Sequence, residues 1–77
     1  MSTVIAQQLD CSGLSCPMPI VKTAKAIRTM ASGELIEVIA TDPGSASDFP
    51  AWCTSTKNEL VTMAEEDGVY RYVIRKR

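Results

Sequence analysis

The chain has 77 residues, of which 45% are hydrophobic and 22% charged, and its formal net charge is −1. This length predicts a single domain over residues 1–77 with a thin core, and the composition excludes an intrinsically disordered chain. The small net charge gives no reason to expect a nucleic-acid-binding domain, because such domains usually carry an excess of lysine and arginine.

The N-terminal segment and the cysteine count indicate where the protein works. MSTVIAQQLD has neither a basic stretch followed by an apolar run nor a small-residue cleavage site, so we expect neither a secretory signal nor a membrane anchor. The chain carries three cysteines, an odd number. Without a secretion signal, this is typical of free thiols in the reducing cytoplasm and not of a disulfide framework.

The first two elements in chain order are a short strand and a helix. The strand lies in TVIAQQLD, and Gly13 breaks the chain before the stretch GLSCPMPIVK, in which one cysteine precedes two prolines. Because proline lacks a backbone N–H, two prolines this close together fit the first turn of a helix. We therefore predict Cys16 as the cap, Pro17 as the first helical residue and a helix that continues to about residue 31.

This helix is predicted to be amphipathic. Apolar side chains that recur at helical spacing form its core-facing stripe: Ile20, Ala24, Ile27 and Ala31. The basic residues Lys22, Lys25 and Arg28 fall elsewhere on the cylinder. One face of the helix is therefore expected to be buried and another to be basic and solvated.

A strand, a turn and a second helix follow. Gly33 is expected to end the first helix, and ELIEVIAT alternates as a half-buried strand. DPGS forms a turn, after which Asp48 is predicted to cap a second helix with Pro50 in its first turn. The residues predicted by spacing to share the inner face of that helix are Phe49, Trp52, Cys53, Thr56, Leu60 and Met63.

The chain is predicted to finish in one or two strands. EEDG should form a turn, and VYRYVIRKR alternates as a strand with Tyr70, Tyr72 and Ile74 opposite Arg71, Val73 and Arg75. Both helices need an apolar partner, so we expect them to cover one face of a small mixed sheet and to leave the other face wet. The sequence thus predicts an α+β domain.

Cys16 is the candidate reactive group. At a helix cap its sulfur faces the positive end of the helix dipole, which stabilises the thiolate by roughly 0.3 to 1 kcal/mol and lowers the pKa of the thiol modestly. The prolines offer no N–H, so the Met18 amide is expected to be its local donor, and Lys22 and Lys25 add a small favourable charge. The sequence therefore predicts an exposed, rigidly held and moderately activated thiol.

The residue types that are missing exclude several reaction classes for this thiol. The absence of histidine excludes a cysteine–imidazole pair for acyl transfer. A dithiol oxidoreductase would need a second cysteine at position 19, which is proline, and Cys11 is poorly placed to substitute. The cysteines also lack a recognisable zinc-ligand spacing, so no metal is expected. What remains is a single nucleophilic sulfur that accepts a group and passes it on.

Four stretches of the chain resemble one protein family. LDCSGLSCPMPIVK, GELIEVIATDPGS, DFPAWC and YRYVIRK together are similar to the TusA family of sulfur-carrier proteins, also called SirA-like, over about residues 9–76. The C-P-x-P core at residues 16–19 makes the match specific. The resemblance implies a two-layer α/β sandwich in the order βαβαββ, with a mixed four-stranded sheet and both helices on one face.

The same resemblance implies a function. Cys16 would accept a sulfane sulfur as a persulfide and relay it to an acceptor protein, so the chain would be a sulfurtransferase only together with partners. The expected partners are a cysteine desulfurase or rhodanese-like donor and a DsrE/TusD-like acceptor, on the way to tRNA 2-thiouridine, molybdenum cofactor or sulfur oxidation. We expect no cofactor beyond the covalent persulfide, no direct contact with nucleic acid or membrane, and a monomer when the protein is free.

Other residues are expected to support this thiol. The residues expected to position its loop are Gly13, Pro17, Met18 and Pro19. The basic residues are expected to form a solvated face of the helix and are also predicted to dock partners: Lys22, Lys25 and Arg28. Cys53 is expected to be a core residue and Cys11 to be inert.

Two further functions stay open at this stage. A thiol redox switch or disulfide exchanger would pair Cys16 with Cys11. A small non-catalytic module would bind RNA or a protein through the basic helix face or through Arg71 and Arg75. For RNA, such binding would depend on salt and would survive the loss of Cys16.

Overall fold

The computed structural model describes residues 4–15 and 17–77, and it contains two helices and four strands. In chain order these are β1 (Ile5–Cys11), α1 (Met18–Ile27), β2 (Leu35–Ala40), α2 (Ser45–Thr56), β3 (Glu59–Glu66) and β4 (Val69–Arg75). The predicted α+β class and βαβαββ order are confirmed. Neither helix is long and apolar enough to cross a membrane in this part of the chain.

The four strands form one mixed sheet in the order β1-β2-β4-β3. β1 and β2 are parallel, whereas β4 runs antiparallel to both of its neighbours, β2 and β3. A parallel pair needs a crossover connection, and α1 supplies it. The two helices contact each other and pack on the sheet, α1 on β1 and β2 and α2 on β3 and β4. The result is the predicted sandwich of a helical layer on a sheet.

The core lies between the helices and the sheet. Its buried apolar side chains are Cys11, Ile27, Met30, Ile36, Val38, Ala40, Phe49, Cys53, Tyr72 and Ile74. The predicted alternation of β2 and β4 is therefore confirmed, with Tyr70 half-buried near the start of β4. On the opposite face, Gln8 donates a hydrogen bond of 2.7 Å to Glu37, and Arg75 forms a 3.1 Å salt bridge with Glu59. That face is polar, as predicted.

One buried hydrogen bond fixes the start of α2 on the sheet. The hydroxyl groups of Ser45 and Tyr72 lie 2.6 Å apart and are both buried. The Phe49 ring stacks on the Tyr72 ring, with centroids 4.4 Å apart and planes 19° apart. Burial raises the pKa of Tyr72, so its hydroxyl stays protonated well above neutral pH.

α1 is shorter than predicted. It begins at Met18 with Pro17 at the cap position, one residue later than expected, and it ends at Ile27 instead of near residue 31. Ala31 is exposed and does not belong to the core-facing stripe. A turn over residues 28–30 follows α1 and buries Met30 in its place. The cap prediction for Cys16 lies outside the described residues.

The buried face of α1 includes a polar residue that the spacing argument passed over. Pro19, Thr23 and Ile27 are buried, whereas the predicted Ile20 and Ala24 are half-buried. The Thr23 hydroxyl donates a 2.8 Å hydrogen bond to the Pro19 carbonyl, so this buried polar group has a hydrogen-bond partner.

α2 begins earlier than predicted. Ser45 is its first residue and Gly44 its cap, so Asp48 lies within the first turn and is not the cap. Pro50 is consequently inside the helix instead of in its first turn. The missing N–H of Pro50 removes one helical hydrogen bond, and the buried neighbours Phe49 and Cys53 hold the helix on the sheet at this point.

α2 also ends earlier than the apolar spacing predicted. Lys57 adopts a left-handed conformation with φ of 63° and ends the helix after Thr56. Leu60 and Met63 therefore belong to β3 and not to the inner face of α2. Leu60 still packs against the core, whereas 47% of Met63 is exposed.

The Ser45–Tyr72 bond provides a test of this arrangement. Tyr72→Phe should lower the free energy of unfolding by about 1 to 3 kcal/mol, because it leaves the buried Ser45 hydroxyl without a partner. Adding Ser45→Ala removes that unpaired group and should recover most of the loss. Urea unfolding followed by Trp52 fluorescence measures both variants, and Tyr70→Phe is the control, with an expected change within about 0.5 kcal/mol. A double variant no more stable than Tyr72→Phe would contradict the assignment.

Candidate functional site

The candidate site is the loop between β1 and α1, residues 12–17, which we call the thiol loop. Cys16 itself lies outside the described residues, so its exposure and its contacts stay predictions. The loop leaves the sheet beside the end of β2, because Cys11 pairs with Ala40 in the last register position of the parallel pair. The connection from β2 to α2 begins at the same edge. The structure thus places the thiol loop next to a second loop, residues 41–44.

Local hydrogen bonds shape both ends of the thiol loop. The Ser12 amide donates to the Asp10 carboxylate at 2.9 Å, and hydrogen bonds from the Ser12 side chain and from this amide lower the pKa of Asp10. The Leu14 amide donates to the Cys11 carbonyl at 3.2 Å, which closes a turn. At the other end, the Met18 amide donates to the Ser15 carbonyl at 2.9 Å. The Met18 amide thus has a backbone acceptor, and the predicted donation from this amide to the Cys16 sulfur lies outside the described residues.

One long-range hydrogen bond ties the middle of the thiol loop to the sheet. The Gly13 amide donates to the Thr41 hydroxyl at 2.9 Å, across 28 residues of sequence. Gly13 has a φ of 79°, in the left-handed region that favours glycine. The predicted positioning role of Gly13 thus has a physical basis in both its conformation and its amide. Thr41 was missed as a site residue, although the pairing of a parallel β1 with β2 would have brought it to this edge.

The two prolines and Met18 divide between a buried and an exposed side. Pro19 is buried under the start of α1 and anchors it, whereas Pro17 is exposed. Met18 and Val21, one helical turn apart, expose 45% and 48% of their surface. Sequence analysis missed Val21, because an apolar residue on a short helix was not expected on its outer side. Together they give an apolar surface at the first turn of α1, beside the thiol loop.

The predicted basic residues form one exposed row along α1. Lys22, Lys25 and Arg28 are all exposed, and their spacing of three residues places them on neighbouring turns. Lys22 is close enough to Asp10 and Cys11 to favour the ionised forms of both. Arg28 lies about 15 Å from Met18 along the helix axis. The row therefore runs from the thiol loop to the far end of α1.

The other two cysteines are buried, free and poorly suited to nucleophilic chemistry. Cys11 is fully buried, and Cys53 exposes only 3% of its surface. Burial raises the pKa of both thiols, that of Cys53 to about 11. Each thiol therefore stays protonated at neutral pH, and both lie in the core, as predicted for Cys53. Within residues 4–15 and 17–77, no cluster of three or more acidic or cysteine side chains could hold a metal ion.

The Gly13–Thr41 bond predicts how the thiol loop is held. Thr41→Val keeps the side-chain shape but removes the acceptor, so the Gly13 amide should exchange with solvent at least about tenfold faster. Thr41→Ser keeps a hydroxyl and should retain most of the protection. Amide hydrogen exchange by NMR measures the effect at Gly13 directly. Equal exchange in all three proteins would show that Thr41 does not hold the loop.

Comparisons with known proteins agree with this architecture. A family model described as "Sulfurtransferase TusA" matches residues 7–76. The sulfur carrier protein TusA of Allochromatium vinosum is 49% identical over 70 residues, which cover 91% of this chain and 92% of that protein. The TusA protein of Pseudomonas paraeruginosa is 45% identical over 69 residues, or 90% of this chain and 87% of its own length.

A solved structure shows the same fold. The crystal structure of a SirA-like protein from Desulfitobacterium hafniense superposes with a TM-score of 0.78 at 21% identity. The superposition covers 90% of this chain and 95% of the SirA-like protein. Its low identity makes it evidence for the fold alone, whereas the family model spans nearly the whole sequence. On that match and on the identity of its relatives, the chain belongs to the TusA family.

Proposed function

We propose that this chain is a sulfur carrier that holds sulfur as a persulfide on Cys16. The observation that carries the proposal is the TusA family match over residues 7–76, which includes the C-P-x-P motif at residues 16–19. The names of the relatives with 45% to 49% identity, which are sulfur carrier proteins, support the same conclusion. The chain then accepts a sulfane sulfur from one protein and passes it to another.

The proposed chemistry is a pair of thiol–persulfide exchanges. The Cys16 thiolate attacks the terminal sulfur of a persulfide on the donor, the donor's sulfur–sulfur bond breaks, and the donor cysteine leaves as a thiolate. A thiolate of the acceptor then attacks the terminal sulfur of the Cys16 persulfide in the same way. Each step exchanges one sulfur–sulfur bond for another, so it needs no external oxidant, metal or organic cofactor.

The structure of the thiol loop supports this role. Pro17 and Pro19 restrict the backbone on one side of residue 16, and the Gly13–Thr41 bond fixes the loop on the other side. A loop that is already ordered loses little conformational entropy at each encounter with a partner. The exposed Met18 and Val21 give that partner an apolar surface to contact. Such features suit a small and short-lived interface.

We further propose the partners and the setting of this relay. The donor is a cysteine desulfurase or a rhodanese-like protein, and the acceptor is a DsrE/TusD-like protein. The carrier turns over as a sulfurtransferase only together with its partner proteins. Two free, buried cysteines fit a reducing compartment, so we place the relay in the cytoplasm, with the free carrier as a monomer.

Sulfur loading tests the proposal directly. Incubation with a cysteine desulfurase and cysteine should add the mass of one sulfur atom to the peptide that contains Cys16, and a reductant should remove it. Cys16→Ser should abolish loading, whereas the double variant Cys11→Ala with Cys53→Ala should still load at Cys16. Peptide mass spectrometry locates the added atom. Label on Cys11 or Cys53 with none on Cys16 would refute the assignment.

Thiol alkylation separates a carrier from a redox switch. In the native protein, Cys16 should react with iodoacetamide at least about a hundredfold faster than Cys11 or Cys53, because the latter two are buried and protonated. Quenched samples analysed by peptide mass give the three rates, and the denatured protein, in which all three should react at similar rates, is the control. A Cys11–Cys16 disulfide under mild oxidant, lost in Cys11→Ala, would instead favour the redox switch.

A further inference from the structure

A groove lies at the end of the molecule opposite to the thiol loop. It has a volume of about 520 Å³ and is bounded by the last turns of α1 and α2 and by residues 76–77. We call it the cationic groove, and the residues that define its character are Ala24, Ile27, Arg28, Trp52, Lys76 and Arg77. This volume is in the range of sites that hold a small ligand or a few side chains of a partner.

Hydrogen bonds give the cationic groove a fixed wall. The Lys76 carbonyl accepts from the Gly33 amide at 2.8 Å, and the Lys76 amide donates to the Glu34 carbonyl at 2.9 Å. The Arg77 amide donates to the Asn58 side-chain oxygen at 2.9 Å. The segment after β4 is thus held on both sides, and its basic side chains are presented by an ordered backbone.

Two guanidinium groups in the cationic groove are available to a ligand. The Lys76 ammonium group donates to the Met30 carbonyl at 2.8 Å and is partly committed. By contrast, the side chains of Arg28 and Arg77 form no hydrogen bond or salt bridge with the described residues, among which the one salt bridge is Arg75–Glu59. Both are exposed. Their charges are therefore free to pair with an incoming anion.

The charge of the cationic groove differs from that of the whole molecule. The chain has eight basic and nine acidic residues and a net charge of −1. Three of the basic residues line the groove, and none of the side chains that line it is acidic. Its floor is apolar, with Ile27 buried and Ala24 and Trp52 half-buried. The groove thus combines an apolar floor with a cationic rim on an otherwise acidic protein.

From this combination we propose that the cationic groove binds a short acidic segment of a partner protein that carries one apolar side chain. The apolar side chain packs between Ala24 and Trp52, and neighbouring carboxylates pair with Arg28 and Arg77. Arginine suits this role because its planar guanidinium binds a carboxylate in bidentate fashion. The surface is complementary in charge to such a segment and in size to a single anchor side chain.

A peptide fits these observations better than RNA does. A nucleic-acid site usually extends over several phosphates along a basic surface, whereas this groove concentrates three cations at one end of a molecule with an acidic balance. The Trp52 ring packs edge-on against Phe49, with centroids 6.4 Å apart, and is half-buried in the wall. Its faces are therefore less available for stacking with a base than those of a protruding ring.

The cationic groove lies on the same helix as the thiol loop but at its other end. The biological role of the groove rests on the proposed sulfur relay. The basic row of Lys22, Lys25 and Arg28 lies along the helix that separates the thiol loop from the groove, and Met18 and Arg28 are about 15 Å apart along its axis. A partner anchored in the groove therefore leaves the thiol loop uncovered. Docking and sulfur transfer then use separate surfaces of one carrier.

An NMR titration tests the proposal without any sulfur chemistry. The full chain carrying Cys16→Ser is titrated with a synthetic peptide in which one leucine is flanked by aspartate and glutamate. Shift changes should centre on Ala24, Thr56, Asn58 and the Trp52 indole, and raising the salt from about 50 to about 500 mM should weaken binding at least about fivefold. A peptide with asparagine and glutamine in place of the acids should not bind there.

Charge reversal supplies the matched comparison. Arg28→Glu with Arg77→Glu should weaken peptide binding at least about tenfold, whereas Arg71→Glu, an exposed reversal on β4, should change it less than about twofold. Absent binding, shift changes elsewhere, or equal losses in both variants would overturn the proposal. Tighter binding of an oligouridylate at the same residues would overturn it in favour of RNA. Because the assay needs no thiol, its failure together with normal loading of Cys16 would reject the groove alone.

Discussion

The parallel pairing of β1 with β2 is the constraint on which the rest of this structure depends. Its last register pair, Cys11 with Ala40, brings the two strands to the same edge of the sheet. Both helices must then start at that edge, and the two connecting loops must lie side by side. The hydrogen bond from the Gly13 amide to the Thr41 hydroxyl follows from this neighbourhood.

The same constraint gives the molecule two chemically different ends. Because both helices start beside the thiol loop, both end at the opposite edge, where β4 also finishes beside the start of β2. Three cations meet there, whereas the β3–β4 turn, with Glu65, Glu66 and Asp67, lies at the thiol-loop edge. The small net charge of the chain hides this separation. Charge counted along a sequence is therefore a poor guide to local surface potential in a fold of this kind.

Much of the fold could be predicted from local patterns, and the exceptions share a physical cause. The alternation in β2 and β4 and the turn before Val69 depend on neighbours in sequence, and they were predicted correctly. The ends of α2 were not, because its first turn is fixed by Ser45 bonding to Tyr72, 27 residues away, and its last by a left-handed Lys57. Spacing alone continued the helix to Met63, since an apolar residue such as Leu60 can face the same core from a strand.

The candidate site shows the same division. The C-P-x-P stretch indicated the thiol loop, because two prolines this close together fit the start of a helix, where a backbone N–H is dispensable. Thr41 and Val21 carried no local signal, because their roles come from a loop and a helix face that only the assembled sheet defines.

The proposed carrier must bind its partners specifically and still release them quickly, and the two separated surfaces offer a solution. A contact at the thiol loop and another in the cationic groove can each be weak, because forming one raises the effective concentration of the other. The rigid α1 sets their separation at about 15 Å, so a partner matched to that spacing can engage both at once. A partner with a different spacing gains only one contact. After sulfur transfer, loss of either contact returns the complex to a weakly bound state, which favours release without a strong interface having to break.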